Sequence, residues 1–212
     1  MISQAESAPV AQQRSEAYWF LAALFADPPA LPVLATLAAG AADAADAGDA
    51  GFAAEIFSAV RETADAADAV QTLAVEHTRL FGGISEEYGP PPPYESMWRE
   101  GRLMGESTVA VAQAFATASY RPDGRFAPCD HIVEELRFMA ALCGAEACAT
   151  DPASASALRT HQQTFLESHL AAWVGAYCER LEAATAVPLY RALARVCATL
   201  VAQDARYLRS ES

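Results

Sequence analysis

The sequence predicts an all-α fold, a single-domain helical bundle of about eight or more helices. Three observations carry that expectation. Hydrophobic residues make up 53% of the chain and charged residues 19%, a balance that builds a core and argues against disorder. Much of the apolar share is alanine, the strongest helix former, whereas β-branched residues and glycine-punctuated strand patterns are sparse. Apolar residues also recur at spacings of three and four, the period of a helix with one buried face. A chain of 212 residues buries about 70% of its unfolded surface and requires no disulfide or metal staple.

Each helix follows from local signals. From Ser15 to Ala26, Tyr18, Leu21, Leu24 and Phe25 fall on one face, and Asp27-Pro28-Pro29 ends the segment. A short helix is expected over Pro32–Ala39. Residues 40–51 are an Ala/Asp/Gly stretch, expected to be flexible. Helices are expected over Phe52–Thr63, around Ile56 and Val60, and over Val70–Phe81, around Leu73, His77 and Leu80. The 82–93 segment holds Gly82-Gly83 and four consecutive prolines, Pro90–Pro93, so it reads as a stiff, partly polyproline loop. One helix is then expected over Met97–Ser119. Another opens with Pro128 at its first position and runs to about Cys143 with Ile132, Leu136 and Met139 inward. A third region runs from after Pro152 to about Ala184, and a last helix from Pro188 to about Leu208. No internal repeat or clean second core is visible, so residues 1–212 read as one all-helical domain.

Charge and cysteine usage exclude several classes. The formal net charge is −13, from 27 acidic and 14 basic residues, which disfavours nucleic acid and anionic membrane surfaces as partners. A basic peptide would be attracted, although an acidic surface also serves plain solubility. The five cysteines are odd in number and form no CxxC, a pattern of free thiols in a reducing compartment. No secretory signal or membrane-spanning run is visible. The expectation is a cytoplasmic protein. Common phosphate-loop, nucleophile-elbow and zinc-protease motifs are missing. Cys129-Asp130-His131 offers a local pair of metal ligands with no second pair at structural spacing, so neither a metal nor a cofactor is expected.

Two segments stand out. In Pro93-Tyr94-Glu95-Ser96-Met97-Trp98, Tyr94 and Trp98 either pin the polyproline loop to the core or edge a groove together with Glu95. Ser96 is placed to cap the following helix. In Pro128-Cys129-Asp130-His131-Ile132-Val133-Glu134-Glu135-Leu136, Asp130 is expected in the first helical turn, where a carboxylate complements the helix dipole. Glu134, one turn on, is expected on the same face. Two carboxylates there suit guanidinium recognition. Adjacent helical residues point about 100° apart, which counts against an Asp130/His131 catalytic dyad.

The second segment, continued by Arg137-Phe138-Met139, resembles the Asp-His signature of the TorD/DmsD family of redox-enzyme maturation chaperones. Ala127 stands where that family often carries an acidic residue before the proline. The Tyr94–Trp98 segment is similar to the family's aromatic–x–Ser–x–aromatic stretch, and Gly105-Glu106-Ser107 follows at a similar offset. Weaker similarity covers Tyr18–Phe25, Glu76–Phe81, His169-Leu170 with Trp173, and Leu189-Tyr190-Arg191. The resemblance implies a non-enzymatic cytoplasmic chaperone. It would bind the twin-arginine signal peptide and apo catalytic subunit of a molybdopterin-dependent oxidoreductase, assisting cofactor insertion before Tat export. It implies peptide-binding roles for Asp130, His131, Tyr94, Ser96 and Trp98; charge adds Glu95 and Glu134. The alternatives are an assembly chaperone for a non-exported molybdoenzyme subunit, and a hydrolase using Asp130 and His131. The sequence leaves open a monomer or a homodimer, the identity of the client, and direct cofactor or guanine-nucleotide binding.

Overall fold

The computed structural model describes residues 4–30, 32–37, 52–64, 68–83 and 88–210. The expected flexible segment 40–51 lies outside the described residues, as do positions 84–87 of the proline-rich loop. The fold is all-α. In order the named helices are α1 (Gln4–Ala26), α2 (Phe52–Ala64), α3 (Ala69–Phe81), α4 (Glu95–Glu100), α5 (Glu106–Thr117), α6 (Ile132–Ala147), α7 (Pro152–Ser168), α8 (Leu170–Ala184) and α9 (Pro188–Ser210). Residues 32–37 add a short helix. Among the described residues, no helix is long and apolar enough to cross a membrane.

The chain divides into two compact units, one of Met1–Phe25, Pro93–Gly175 and Leu200–Ser212, the other of Ala26–Pro92 and Ala176–Thr199. In the second unit, Ile56, Val60, Leu73, Leu80, Leu189 and Tyr190 are buried. The Tyr190 hydroxyl donates to Leu73 O (2.9 Å), and the Leu189 N–H donates to Thr63 Oγ1 (3.3 Å). His77 is half-buried there, edge-on to Phe81 at 4.6 Å. The end of the proline-rich loop is tied back by Arg79, whose Nη1 donates to Tyr88 O (2.9 Å). Gly89 has to be glycine, because a Cβ would meet Arg79 O at 2.1 Å.

The first unit carries the motifs. Its interior is an aromatic cluster in which Phe138 lies 4.7 Å from both Phe115 and Phe165 and 5.1 Å from Tyr120. Helix α1 begins three turns before the Ser15 expected from sequence. Its inward positions include Ala11, Arg14, Ser15, Tyr18, Leu21 and Ala22, and two of these are polar, which hides the apolar period. Ser15 Oγ donates to Ala140 O (2.8 Å). Arg14 grips Asp204 with two bonds, Nε–Oδ1 at 2.5 Å and Nη2–Oδ2 at 2.9 Å, and Tyr18 OH donates to the same carboxylate at 2.7 Å.

Three further boundaries differ from the expectations. The segment expected as one helix over Met97–Ser119 is two. Gly101 takes the left-handed conformation (φ 71°) and ends α4, a geometry glycine adopts without the Cβ penalty. The Glu100 carboxylate then accepts from the N–H groups of Glu106 (2.9 Å) and Ser107 (2.7 Å), starting α5. The region from Pro152 to Ala184 breaks at His169 (φ −120°, ψ −93°). Lastly, Pro128 does not open α6. The helix starts at Ile132, and the Ala127–Pro128 bond is cis.

Removing one member of a buried, hydrogen-bonded ion pair leaves its partner uncompensated and costs about 3–5 kcal/mol. Asp204→Ala leaves Arg14 its 3.4 Å contact to the buried Glu146 but removes the acceptor of Tyr18 OH, so it should destabilise the protein by about 3 kcal/mol in urea denaturation; a loss below about 1 kcal/mol would place the pair outside the folding core.

Candidate functional site

The two motif segments, 34 residues apart in sequence, form one joint. Tyr94 and His131 make an isolated antiparallel bridge. Glu95 N–H donates to Asp130 O (2.8 Å), and Ile132 N–H donates to Pro93 O (2.9 Å). The first free N–H groups of a helix need acceptors. Helix α4 starts on Tyr94, whose side chain caps nothing. The acceptor comes from the other segment, as Ser96 N–H donates to Asp130 Oδ2 (2.9 Å). His131 is in turn the N-cap of α6, with Nδ1 accepting from Val133 N–H (3.2 Å). The Asp-His dipeptide thus closes the starts of two helices. Its ring is held between Phe126, stacked at 4.6 Å, and Tyr94, edge-on at 4.8 Å.

This geometry corrects several expectations. Asp130 is not in the first turn of its own helix; it precedes the N-cap and serves α4. Ser96 is not a cap but lies inside α4, buried, with Oγ lacking a hydrogen-bond partner among the described residues. Asp130 and Glu134 are not a pair of open carboxylates on one face. Both are at 0% exposure, as are Glu95 and Ser96. Tyr94, in the joint, and Trp98, on α4, are both half-buried; the Tyr94 hydroxyl donates to Ala127 O (3.3 Å).

Three buried glutamates each find a partner within the unit, although one oxygen each of Glu134, Glu135 and Asp130 accepts no hydrogen bond among the described residues. Glu95 accepts from Arg99 and pairs with His169 Nδ1 (2.8 Å). Arg99 also donates to Ser168 O (3.0 Å), satisfying a carbonyl freed where α7 breaks. Glu134 Oε1 accepts from Arg137 Nη1 (3.0 Å), which also reaches Asp123 Oδ2 (2.9 Å). Glu135 accepts from Trp173 Nε1 (3.2 Å). Burial, then the neighbouring Glu95 charge, pushes the Glu135 carboxyl well above the glutamate range. Burial also pushes the Cys129 thiol up to about 11, which leaves it without thiolate character. Among the described residues, no group of three or more His, Cys, Asp or Glu is arranged to hold a metal ion.

Sequence reasoning missed Arg99, Arg137, Phe126, Glu135, His169 and Trp173. The two arginines had a signal: Glu95/Arg99 and Glu134/Arg137 stand at i,i+4 and i,i+3, spacings that pair on a helix. Nothing local links His169 to Glu95 across 74 residues.

Residues 31–179, more than half of the chain, match the family model described as nitrate reductase delta subunit. This chain belongs to the TorD family of redox-enzyme maturation chaperones. It is similar to the chaperone protein TorD of Shewanella pealeana, 28% identical over 218 residues, covering 96% of this chain and 93% of the relative. It is similar as well to the TorD chaperone of Vibrio cholerae serotype O1, 25% identical over 201 residues, covering 91% and 90%. A selenate reductase assembly chaperone protein of Thauera selenatis is 43% identical over 130 residues, 58% of this chain and 64% of the relative. The fold is like that of a solved Archaeoglobus fulgidus protein described as a redox enzyme maturation protein. That match has a TM-score of 0.50 and 21% identity, covering 92% of this chain and 93% of that one.

Glu135 supplies a stability test. A carboxyl raised in the folded state holds a proton that the unfolded chain gives up at about pH 4.3. Its contribution is full below that pH and is lost as pH rises toward its folded value. Glu134 is raised in the same sense. Glu135→Gln has no proton to lose, so its stability should fall less than wild type between about pH 5 and 8 in urea titrations. Identical slopes would show that Glu135 is ionised in the fold.

Proposed function

We propose that this chain is a maturation chaperone that binds the catalytic subunit of a molybdopterin-dependent oxidoreductase, engaging its twin-arginine leader before export. The observation that carries the reading is likeness over nine-tenths of the chain to proteins named as TorD chaperones, together with the Asp130-His131 joint. A non-enzymatic role accords with those names. Asp130 and His131 are each committed to a different helix start, which weighs against using them as a hydrolytic dyad.

On this reading Tyr94 and Trp98 offer aromatic contact to the peptide, while Asp130, His131 and Ser96 hold the joint that positions them. Glu134 is the carboxylate for an incoming guanidinium group, whereas Glu95, held by Arg99 and His169, supports the joint from inside. Charge-assisted bonds contribute about 1.5–3 kcal/mol each, and apolar contact adds to them. The net charge of −13 favours encounter with a basic leader.

Titration calorimetry with a twin-arginine leader peptide should give micromolar or tighter binding, about −8 kcal/mol. A Lys-Lys version should bind about tenfold weaker or worse, because lysine loses the bidentate fork. Equal binding of the two peptides would remove guanidinium recognition from the proposal. The selenate reductase assembly chaperone among the relatives favours a second reading, assembly of a subunit irrespective of export. Affinity capture from the native host separates the two: a client with a twin-arginine leader supports the first, a leaderless client the second.

A further inference from the structure

Arg137 occupies what is chemically a complete receptor for a guanidinium group. Its Nη1 donates to Glu134 Oε1 (3.0 Å) and to Asp123 Oδ2 (2.9 Å). Its guanidinium carbon lies 5.6 Å from the centre of the Phe126 ring and 5.9 Å from that of Trp19. Two carboxylates and two aromatic faces are the surroundings an arginine side chain favours. These walls come from α1, from the loop before α6 and from α6 itself, all within the first unit.

Arg137 fits this receptor incompletely. Both hydrogen bonds leave through one nitrogen, so the fork is not used bidentately on Glu134. Glu134 Oε2 is buried and accepts no hydrogen bond among the described residues. A buried polar atom left in that state costs about 1–3 kcal/mol. An arginine three residues along the same helix reaches the near oxygen; a guanidinium entering from outside can engage both.

Two of the walls are also lightly held. The Asp123 side chain is 55% exposed, and an ion pair of that kind contributes about 0–1 kcal/mol. Trp19 is 48% exposed. Exchanging one guanidinium for another keeps Glu134 compensated throughout, which avoids the several kcal/mol penalty of a bare buried carboxylate. Arg99 on Glu95 is not an equivalent case. Arg99 also holds Ser168 O, and Glu95 also holds His169, so that pair is built into the break between α7 and α8.

We propose that Glu134, Asp123, Trp19 and Phe126 form an arginine-binding site, filled by Arg137 in the free protein and taken over by an arginine of the incoming polypeptide. The second half rests on the leader-binding reading above; the site itself does not.

The test uses the full chain, Arg137→Ala, and two probes, a twin-arginine peptide and ethylguanidinium. With Arg137 gone the site is vacant. The variant should bind the peptide about tenfold tighter than wild type and show saturable thermal stabilisation by ethylguanidinium. Wild type and the double variant Arg137→Ala/Glu134→Gln should lack that stabilisation. Unchanged or weaker peptide binding by Arg137→Ala overturns takeover by the leader while leaving leader binding in place. If neither protein binds any peptide, the leader reading fails, and ethylguanidinium alone judges the site: stabilisation of Arg137→Ala but not of the double variant supports it, and no stabilisation overturns it. Should Arg137→Ala not fold, Asp123→Asn loosens Arg137 with Glu134 intact. A several-fold faster peptide association then supports the proposal, and an unchanged rate overturns it.

Discussion

The Asp130 carboxylate stands at the start of a helix that is not its own, and the rest of the first unit is arranged around that contact. Helix α4 is only six residues long, too short to persist on propensity. Tyr94 brings it no side-chain acceptor. Asp130 supplies its carbonyl to Glu95 and its carboxylate to Ser96, and the next residue caps α6. Two distant segments become one rigid corner because each provides what the other's helix lacks.

That corner sets the electrostatics behind it. Glu95, Glu134 and Glu135 are fully buried in a protein whose surface is already strongly acidic. Each is made tolerable differently: Glu95 by Arg99 and His169, Glu134 by Arg137, and Glu135 by the Trp173 N–H and by a carboxyl that burial pushes toward its neutral form. Buried charge without such compensation is prohibitive. At Glu134 the charge lies beside the Phe126 and Trp19 rings and is already held by Arg137, so under the proposed takeover an incoming cation reaches it by replacing that arginine.

Much of this was visible along the chain. The helices around Ile56, Leu73, Leu136 and Leu189 follow from apolar spacing. The stop after Ala26 follows from Asp27-Pro28-Pro29, and the special character of Tyr94–Trp98 and Asp130–Glu134 from their composition. The start of α1 was concealed because Arg14 and Ser15 face inward and interrupt the apolar period. The breaks at Gly101–Gly105 and at His169 were concealed because helix-favouring residues lie on both sides. In each case the deciding partner is another segment, or a carboxylate such as Glu100 reaching across a turn.

Sequence alone determined the fold class, because alanine content and a three-to-four spacing act within a few residues and leave little choice but helices with one buried face. It also determined which residues are chemically unusual. Only the tertiary structure decided what those residues do in the fold. The Asp130–Ser96 and Glu95–His169 contacts join positions 34 and 74 residues apart, and no local period encodes such pairings. They exist because burial excludes water and obliges each polar group to find its partner wherever the chain brings one.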